Sequence, residues 1–170
     1  ETAEQTGSEV SIANYNCPGQ IVISGQEEAV HLAGETCKAS GAKRVVPLKV
    51  SGPFHSKMLR GAGEKLKEEL KKVEISDSFV PYIANVTADY VTKKEEVKLL
   101  LASQVSSSVR WQQTIERLLA DGADEFVEIG PGRTLSGFVK KVNRDVKVSS
   151  IDKMEDFIQF IGSHVEAGAC

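Results

Sequence analysis

The clearest periodic signal in the chain lies at Leu59, Ala62, Leu66, Leu70 and Val73, apolar positions that step by three and four residues. That spacing predicts a helix with one inward stripe, while pairs such as Glu68 and Lys72 support the wetted side. A second helix is expected from Glu27 to Ser40, through Val30, Ala33 and Cys37, with Gly41 as its stop. Further helices are predicted in "KKEEVKLLLASQ", in "SVRWQQTIERLLADG" and over Thr134 to Val142. A last one starts at Asp152 as N-cap and runs through Met154, Phe157, Ile158 and Ile161.

Between the helices lie strand-like runs. Ser11 to Asn16 and Gln20 to Ser24 read as two short strands joined at "NCPG", where Pro18 fixes φ and Gly19 can take φ above zero. "KRVVPLKV", Lys43 to Val50, reads as an edge strand, because Pro47 cannot donate to a ladder. Pro81 to Thr87, a buried run in "DEFVEIGPG" and "DVKVSSI" supply three more. With "ETAEQTG" read as the tail of a helix, residues 1–50 follow the order of a ferredoxin-like βαββαβ unit short of its first strand. From residue 51 to 162 strands alternate with helices, which predicts parallel pairing with helices on both faces. Residues 163–170 form a small, polar tail without periodicity. The fold class is therefore α/β, as a small ferredoxin-like subdomain followed by part of a larger α/β one.

Composition narrows the function. With 170 residues, 41% hydrophobic and 26% charged, the chain is globular in character. Its net charge of -3 is spread without a basic block, and aromatics are few, so nucleic acid is not an expected partner. No apolar run approaches the roughly 20 residues that span a bilayer, and the N-terminus lacks a secretory pattern, so a cytoplasmic location without membrane partners is expected. Cys17, Cys37 and Cys170 lack the close pairing of metal or redox motifs and read as free thiols. His31 and His164 read as surface residues, leaving no metal cluster, and no cofactor is expected.

Three stretches carry candidate chemistry. "KVSGPFHS" places His55 in a Gly-Pro loop before a helix, and an imidazole with an ordinary pKa of about 6.5 suits proton transfer. The alternative is a residue hydrogen-bonded at a helix start, with Ser56 as the cap. "EIGPGRTLSG", Glu128 to Gly137, leads a strand through a glycine turn into a helix N-terminus, which can accept an anion. It fits neither G-x-G-x-x-G nor a phosphate loop, and a purely structural turn is the alternative. "ANYNCPGQ" offers Asn14, Asn16 and Gln20 beside a turn, where such residues are also ordinary.

Taken in order, "ANYNCPGQIVISG", "KVSGPFHS", "LLLASQVSSSVRW" and "FVEIGPGRTLSGFVKK" resemble the C-terminal half of the malonyl-CoA:acyl carrier protein transacylases of bacterial fatty acid synthesis. The resemblance implies a ferredoxin-like lobe set into an α/β-hydrolase-like lobe. It implies a serine that takes malonyl from malonyl-CoA and passes it to the phosphopantetheine thiol of acyl carrier protein. His55 would be the general base, and the backbone carbonyl of Gln104 would hold its ring. Phe54 would favour malonyl over methyl-branched substrates by bulk, and Asn16 would line the cleft. Coenzyme A and the phosphopantetheine arm would enter as substrates.

The chain departs from that family in one respect. The nucleophile is expected in G-H-S-x-G on a strand-to-helix elbow, and no serine here has glycines two residues before and two after it. The arginine that pairs with the malonyl carboxylate is expected in the same absent segment. These 170 residues alone are thus expected to be inactive and to need a complementary N-terminal half, whose absence would leave apolar sheet edges to be paired or remodelled. Two other readings share these motifs: an acyltransferase serving a polyketide synthase in trans, and a non-catalytic ferredoxin-like interaction module. A Cys17 and His55 hydrolase is disfavoured, because nothing near Cys17 in the sequence would activate its thiol.

Overall fold

The computed structural model describes residues 7–167, with side chains to residue 164, and the chain divides into two units. The first comprises residues 1–16 and 20–114, the second residues 17–19 and 115–170. The helix tail expected at the start falls almost wholly outside the described residues.

The strands β1 (Val10–Cys17) and β2 (Gln20–Gly25) form a two-stranded sheet. A connection this short permits only antiparallel pairing, and Gly19 makes it with φ 78°. Gln26 closes the hairpin by donating its backbone N–H to the Glu9 carbonyl at 2.8 Å. Helix α1 (Glu27–Ala39) follows and buries Ala29, Ala33 and Gly34. Cys37, expected on the inner stripe, is exposed, because the buried face is set by the small residues instead.

The strand expected over Lys43–Val50 does not form. Val45, Val46, Leu48 and Val50 are all exposed, and the Val50 N–H bonds back to Leu48, a local turn that a ladder would exclude. β-Branched residues favour a strand only where another strand accepts them, and none of the described strands does so.

A 3₁₀ turn (Lys57–Leu59) leads into α2 (Arg60–Leu70). The periodic pattern runs on to Val73, but residues 71–73 tighten into bonds three residues back and end the helix. Then β3 (Tyr82–Ala84) pairs antiparallel with β4 (Asp89–Val91), a three-residue strand the sequence pattern does not announce. Helix α3 (Lys94–Gln104) packs against α2. After it the chain meets β1: Val109 donates to Ala13 at 2.8 Å and accepts from Tyr15 at 2.9 Å, in a parallel bridge between Asn14 and Val109.

Helix α4 (Trp111–Ala120) buries Ile115. In the second unit β5 (Glu125–Ile129) pairs in parallel with β6 (Lys147–Ile151), and the crossover helix α5 (Thr134–Val142) packs on both. This is the parallel arrangement that alternating elements predict. The expectation of a buried β5 fails, however: Ile129 is 79% exposed and Val127 38%.

Helix α6 (Met154–Ala167) takes in most of the predicted tail, whose last three residues lie outside the described range. Asp152 is not its cap. The Asp156 carboxylate instead reaches back to the N–H groups of Lys153 and Asp152, at 3.0 and 3.1 Å, and these backbone bonds lower its pKa. The small side chain of Asp152 points elsewhere and accepts from Gly132 N–H at 3.4 Å.

Candidate active site

The site is built on the end of a helix. The last four carbonyls of any α-helix lack an intrahelical donor, and in α3 the final one belongs to Gln104. Its oxygen lies 2.9 Å from Nδ1 of His55, forty-nine positions earlier in the chain. A carbonyl can only accept, so Nδ1 carries a proton, and in the neutral ring Nε2 presents the lone pair. Nε2 has no hydrogen-bond partner among the described residues. The ring is partly buried.

The loop around His55 is tightly held. His55 itself has φ 57°, one of two non-glycine residues in the left-handed region among those described. Phe54 N–H donates to the Gly52 carbonyl at 2.9 Å on one side. On the other, the Ser56 side chain is buried and its hydroxyl donates to the Pro53 carbonyl at 2.7 Å. Ser56 therefore does not cap the following helix through its hydroxyl; only its backbone carbonyl starts the 3₁₀ turn, by accepting from Leu59 N–H at 3.0 Å. Phe54 is 52% exposed, so its ring stands at the surface of the loop.

Asn16 lies near the end of β1, half-buried and on the same face as Asn14. The Asn14–Val109 bridge brings this strand to the segment that follows Gln104. Among the described residues Asn16 makes no hydrogen bond to His55 or Gln104, so the fold joins two of the four candidate residues by direct contact. A concavity of about 590 Å³ lies elsewhere: it is lined by Lys71, Val73, Asp77, Lys94 and neighbours, and shares no residue with the His55 loop.

The glycine turn at 130–132 is not an open anion site. Gly130 and Gly132 adopt φ 138° and 88°, which only glycine takes readily. The exposed N–H groups of Leu135 and Ser136 at the start of α5 are already taken by the Glu128 carboxylate, at 3.1 and 2.7 Å. Burial raises the pKa of Glu128, but the bonds from Ser136 and Leu135 outweigh it, and the net shift is downward. Cys17 is buried and Cys37 free at the surface. His31 is a surface residue 3.8 Å from Glu35. His164 is not merely a surface residue: its Nε2 lies 3.0 Å from Glu125, and its ring stacks on Phe160.

The whole sequence from residue 1 to 155 matches the family described as acyl transferase domain. The chain belongs to that family. Malonyl CoA-acyl carrier protein transacylase of Bacillus subtilis (strain 168) is 51% identical over 151 residues, 89% of this chain and 48% of that protein. The protein of the same name from Staphylococcus aureus (strain COL) is 45% identical over 144 residues, 85% of this chain and 47% of that one. Among solved structures, malonyl CoA-acyl carrier protein transacylase from Clostridium perfringens superposes with a TM-score of 0.91 at 38% identity, covering 98% of this chain and 53% of that one. A malonyl-transacylase in complex with its holo type II PKS acyl-carrier protein gives 0.89 at 35%, covering 93% and 52%. The chain thus spans about half the length of the relatives it matches. The fold class is that of these acyltransferases, a ferredoxin-like subdomain with an α/β-hydrolase-like one. No helix among the described residues is long and apolar enough to cross a membrane.

Two features of the site were not foreseen from the sequence. One is the side-chain amide of Gln104, which donates to the carbonyls of Ser107 and Ser108 at 3.0 and 3.4 Å. The other is Gly63 of α2, where a Cβ would stand 2.9 Å from the Ala102 carbonyl. The run of three serines after Gln104 is the only sequence signal for the first, and the second has none.

Proposed function

We propose that this chain supplies the base and its orienting carbonyl to a malonyl transfer from coenzyme A to the phosphopantetheine thiol of acyl carrier protein. The observation that carries the reading is the Nδ1–carbonyl bond between His55 and Gln104, which leaves Nε2 as a fixed proton acceptor. In the first half-reaction Nε2 takes the proton of a serine hydroxyl while its oxygen attacks the thioester carbon. The proton then goes to the departing coenzyme A sulfur. In the second, Nε2 takes the proton of the carrier thiol, sulfur attacks the ester, and the serine oxygen leaves with that proton. The Gln104 carbonyl sits at the negative end of α3, so charge appearing on the ring meets a favourable dipole without an added carboxylate.

The nucleophile in this reading comes from polypeptide outside the 170 residues, because no serine here stands in the elbow motif. Phe54 is the steric selector against methyl-branched substrates, and Asn16 a polar lining residue. Incubation with malonyl-CoA and intact-mass measurement tests the reading. The chain alone gains no malonyl group, whereas together with a nucleophile-bearing polypeptide a serine is acylated. In that mixture His55→Ala lowers the rate by roughly a hundredfold or more. Phe54→Ala raises the acceptance of methylmalonyl-CoA relative to malonyl-CoA. Malonylation of the 170 residues by themselves, or an unaffected His55→Ala, overturns it. The similarity to a transacylase bound to a type II PKS carrier favours one variant, a polyketide carrier as acceptor; transfer rates to the two carrier classes separate them.

A further inference from the structure

Gln104 contributes more than a carbonyl. Where a helix ends, its last carbonyls compete for donors, and the next α-helical bond of α3 would run from Ser108 N–H to the Gln104 oxygen. That bond would occupy the oxygen His55 uses. In the structure the turn closes instead with short-range bonds: Ser106 N–H to Ser103 at 3.2 Å and a long Ser107 N–H contact to Gln104 at 3.5 Å. The Gln104 side chain folds over this turn and its Nε2 donates to the Ser107 and Ser108 carbonyls. Ser108 is then turned toward β1, where its hydroxyl donates to Ile12 at 2.6 Å and Val109 enters the ladder with Ala13 and Tyr15. One amide nitrogen thus holds two carbonyls of the backbone that would otherwise extend the helix.

We infer that the side-chain amide of Gln104 is a positioning group: by clipping the 107–108 carbonyls it stops α3 and keeps its own backbone carbonyl directed at Nδ1 of His55. Gln104 acts on the reaction only through His55, and it touches no substrate in this scheme. The inference rests on the proposed role of His55 for its kinetic consequence, but its structural consequence, a ring locked with the proton on Nδ1, does not.

The decisive comparison is Gln104→Met, which keeps length and helix propensity and deletes both donors, against Gln104→Lys, which restores a donor of similar reach. Nitrogen-15 NMR of the His55 ring in the 170-residue chain reads the tautomer directly. We expect the native chain and Gln104→Lys to hold the proton on Nδ1, and Gln104→Met to show a mixture of tautomers. Combined with a nucleophile-bearing polypeptide, Gln104→Met loses roughly 10–100-fold in kcat, the usual cost of removing an orienting partner, with KM for malonyl-CoA unchanged within about twofold. Should Gln104→Met not fold, Gln104→Glu, whose carboxylate also cannot donate, takes its place. A donor-less variant that keeps the locked tautomer overturns the inference, as does a Gln104→Lys as impaired as Gln104→Met. An active His55→Ala would instead sink the proposed function while leaving the NMR result standing.

Discussion

Gly63 offers a test of how the site is supported. In the interior of a helix glycine costs up to about 1 kcal/mol relative to alanine, so Gly→Ala on a helix ordinarily stabilises. Gly63 lies on α2 where it meets α3: an added Cβ would stand 2.9 Å from the Ala102 carbonyl and 3.8 Å from the Val105 Cβ. The first contact is with backbone and cannot be relieved by a rotamer change, so α2 must move away from α3. Overpacking of this kind costs about 1–3 kcal/mol, which outweighs the propensity gain and leaves a net loss of about 0–2 kcal/mol. Gly61, two residues earlier on the same helix, has nothing within 4 Å of the corresponding position, so Gly61→Ala keeps the gain without the clash. Thermal denaturation of the pair should separate them by about 1–3 kcal/mol, or several degrees in Tm for a chain of this size. Because Ala102 is two residues from Gln104, Gly63→Ala should also loosen the Nδ1 tautomer of His55, and Gly61→Ala should not. Equal stabilisation by both substitutions would refute the claimed close approach.

Two further outcomes follow from the second unit. His164 is drawn toward protonation first by its bond with Glu125, and Glu125 is held below its ordinary range first by the bond with His164, then by Lys147. A raised histidine stabilises below its ordinary value of 6.5 and loses that effect as pH rises through the folded value. A lowered carboxylate stabilises above 4.5 and loses its effect as pH falls through the folded value. The Tm gap between the native chain and His164→Ala is therefore widest between those two values and shrinks by pH 8.5; a gap independent of pH counts against the ion pair. Glu128→Ala, which strips the acceptor from the first turn of α5, should cost about 1 kcal/mol in urea denaturation at neutral pH. The penalty fades in acid, as the lowered pKa of Glu128 is passed.

What could be read from the sequence was what is periodic or local. The stepping of Leu66 and Leu70 marks α2 as a helix but misplaces its buried face, since Leu66 and Val73 are exposed and the buried residue is Gly63; Thr134–Val142 is predicted to the residue, because a helix is legible in its own spacing. A strand is completed by partners the local sequence does not contain. Lys43–Val50 has strand composition and forms none, while β4 forms from three residues, and the left-handed position of the turn before it falls on Ala88 at φ 57° instead of on a glycine or asparagine. At the site, His55 stands out by chemistry, and the Gln104 carbonyl came only through resemblance, since a backbone oxygen has no residue signature. The Gln104 amide and Gly63 depend on the direction of carbonyls across a helix end and between two helices, of which the serine run at 106–108 is the only trace in the sequence.

The backbone at His55 adds an energetic argument for its role. A non-glycine residue at φ 57° costs on the order of 1 kcal/mol or more, and such positions persist only where surrounding contacts over-determine them. Here the contacts are specific: the Ser56 hydroxyl on the Pro53 carbonyl, the Phe54 N–H on Gly52, the 3₁₀ turn from Ser56 to Leu59, and the ring itself on Gln104. A histidine whose only task was to start a helix could adopt extended backbone, as Ser56 does at φ -118° and ψ 161°. The left-handed turn instead reverses the chain at the one residue whose side chain must reach the end of α3. The orientation of the ring is thus fixed twice, once through its backbone and once through Nδ1. That leaves Nε2 as the only ring nitrogen whose direction the fold determines without using it.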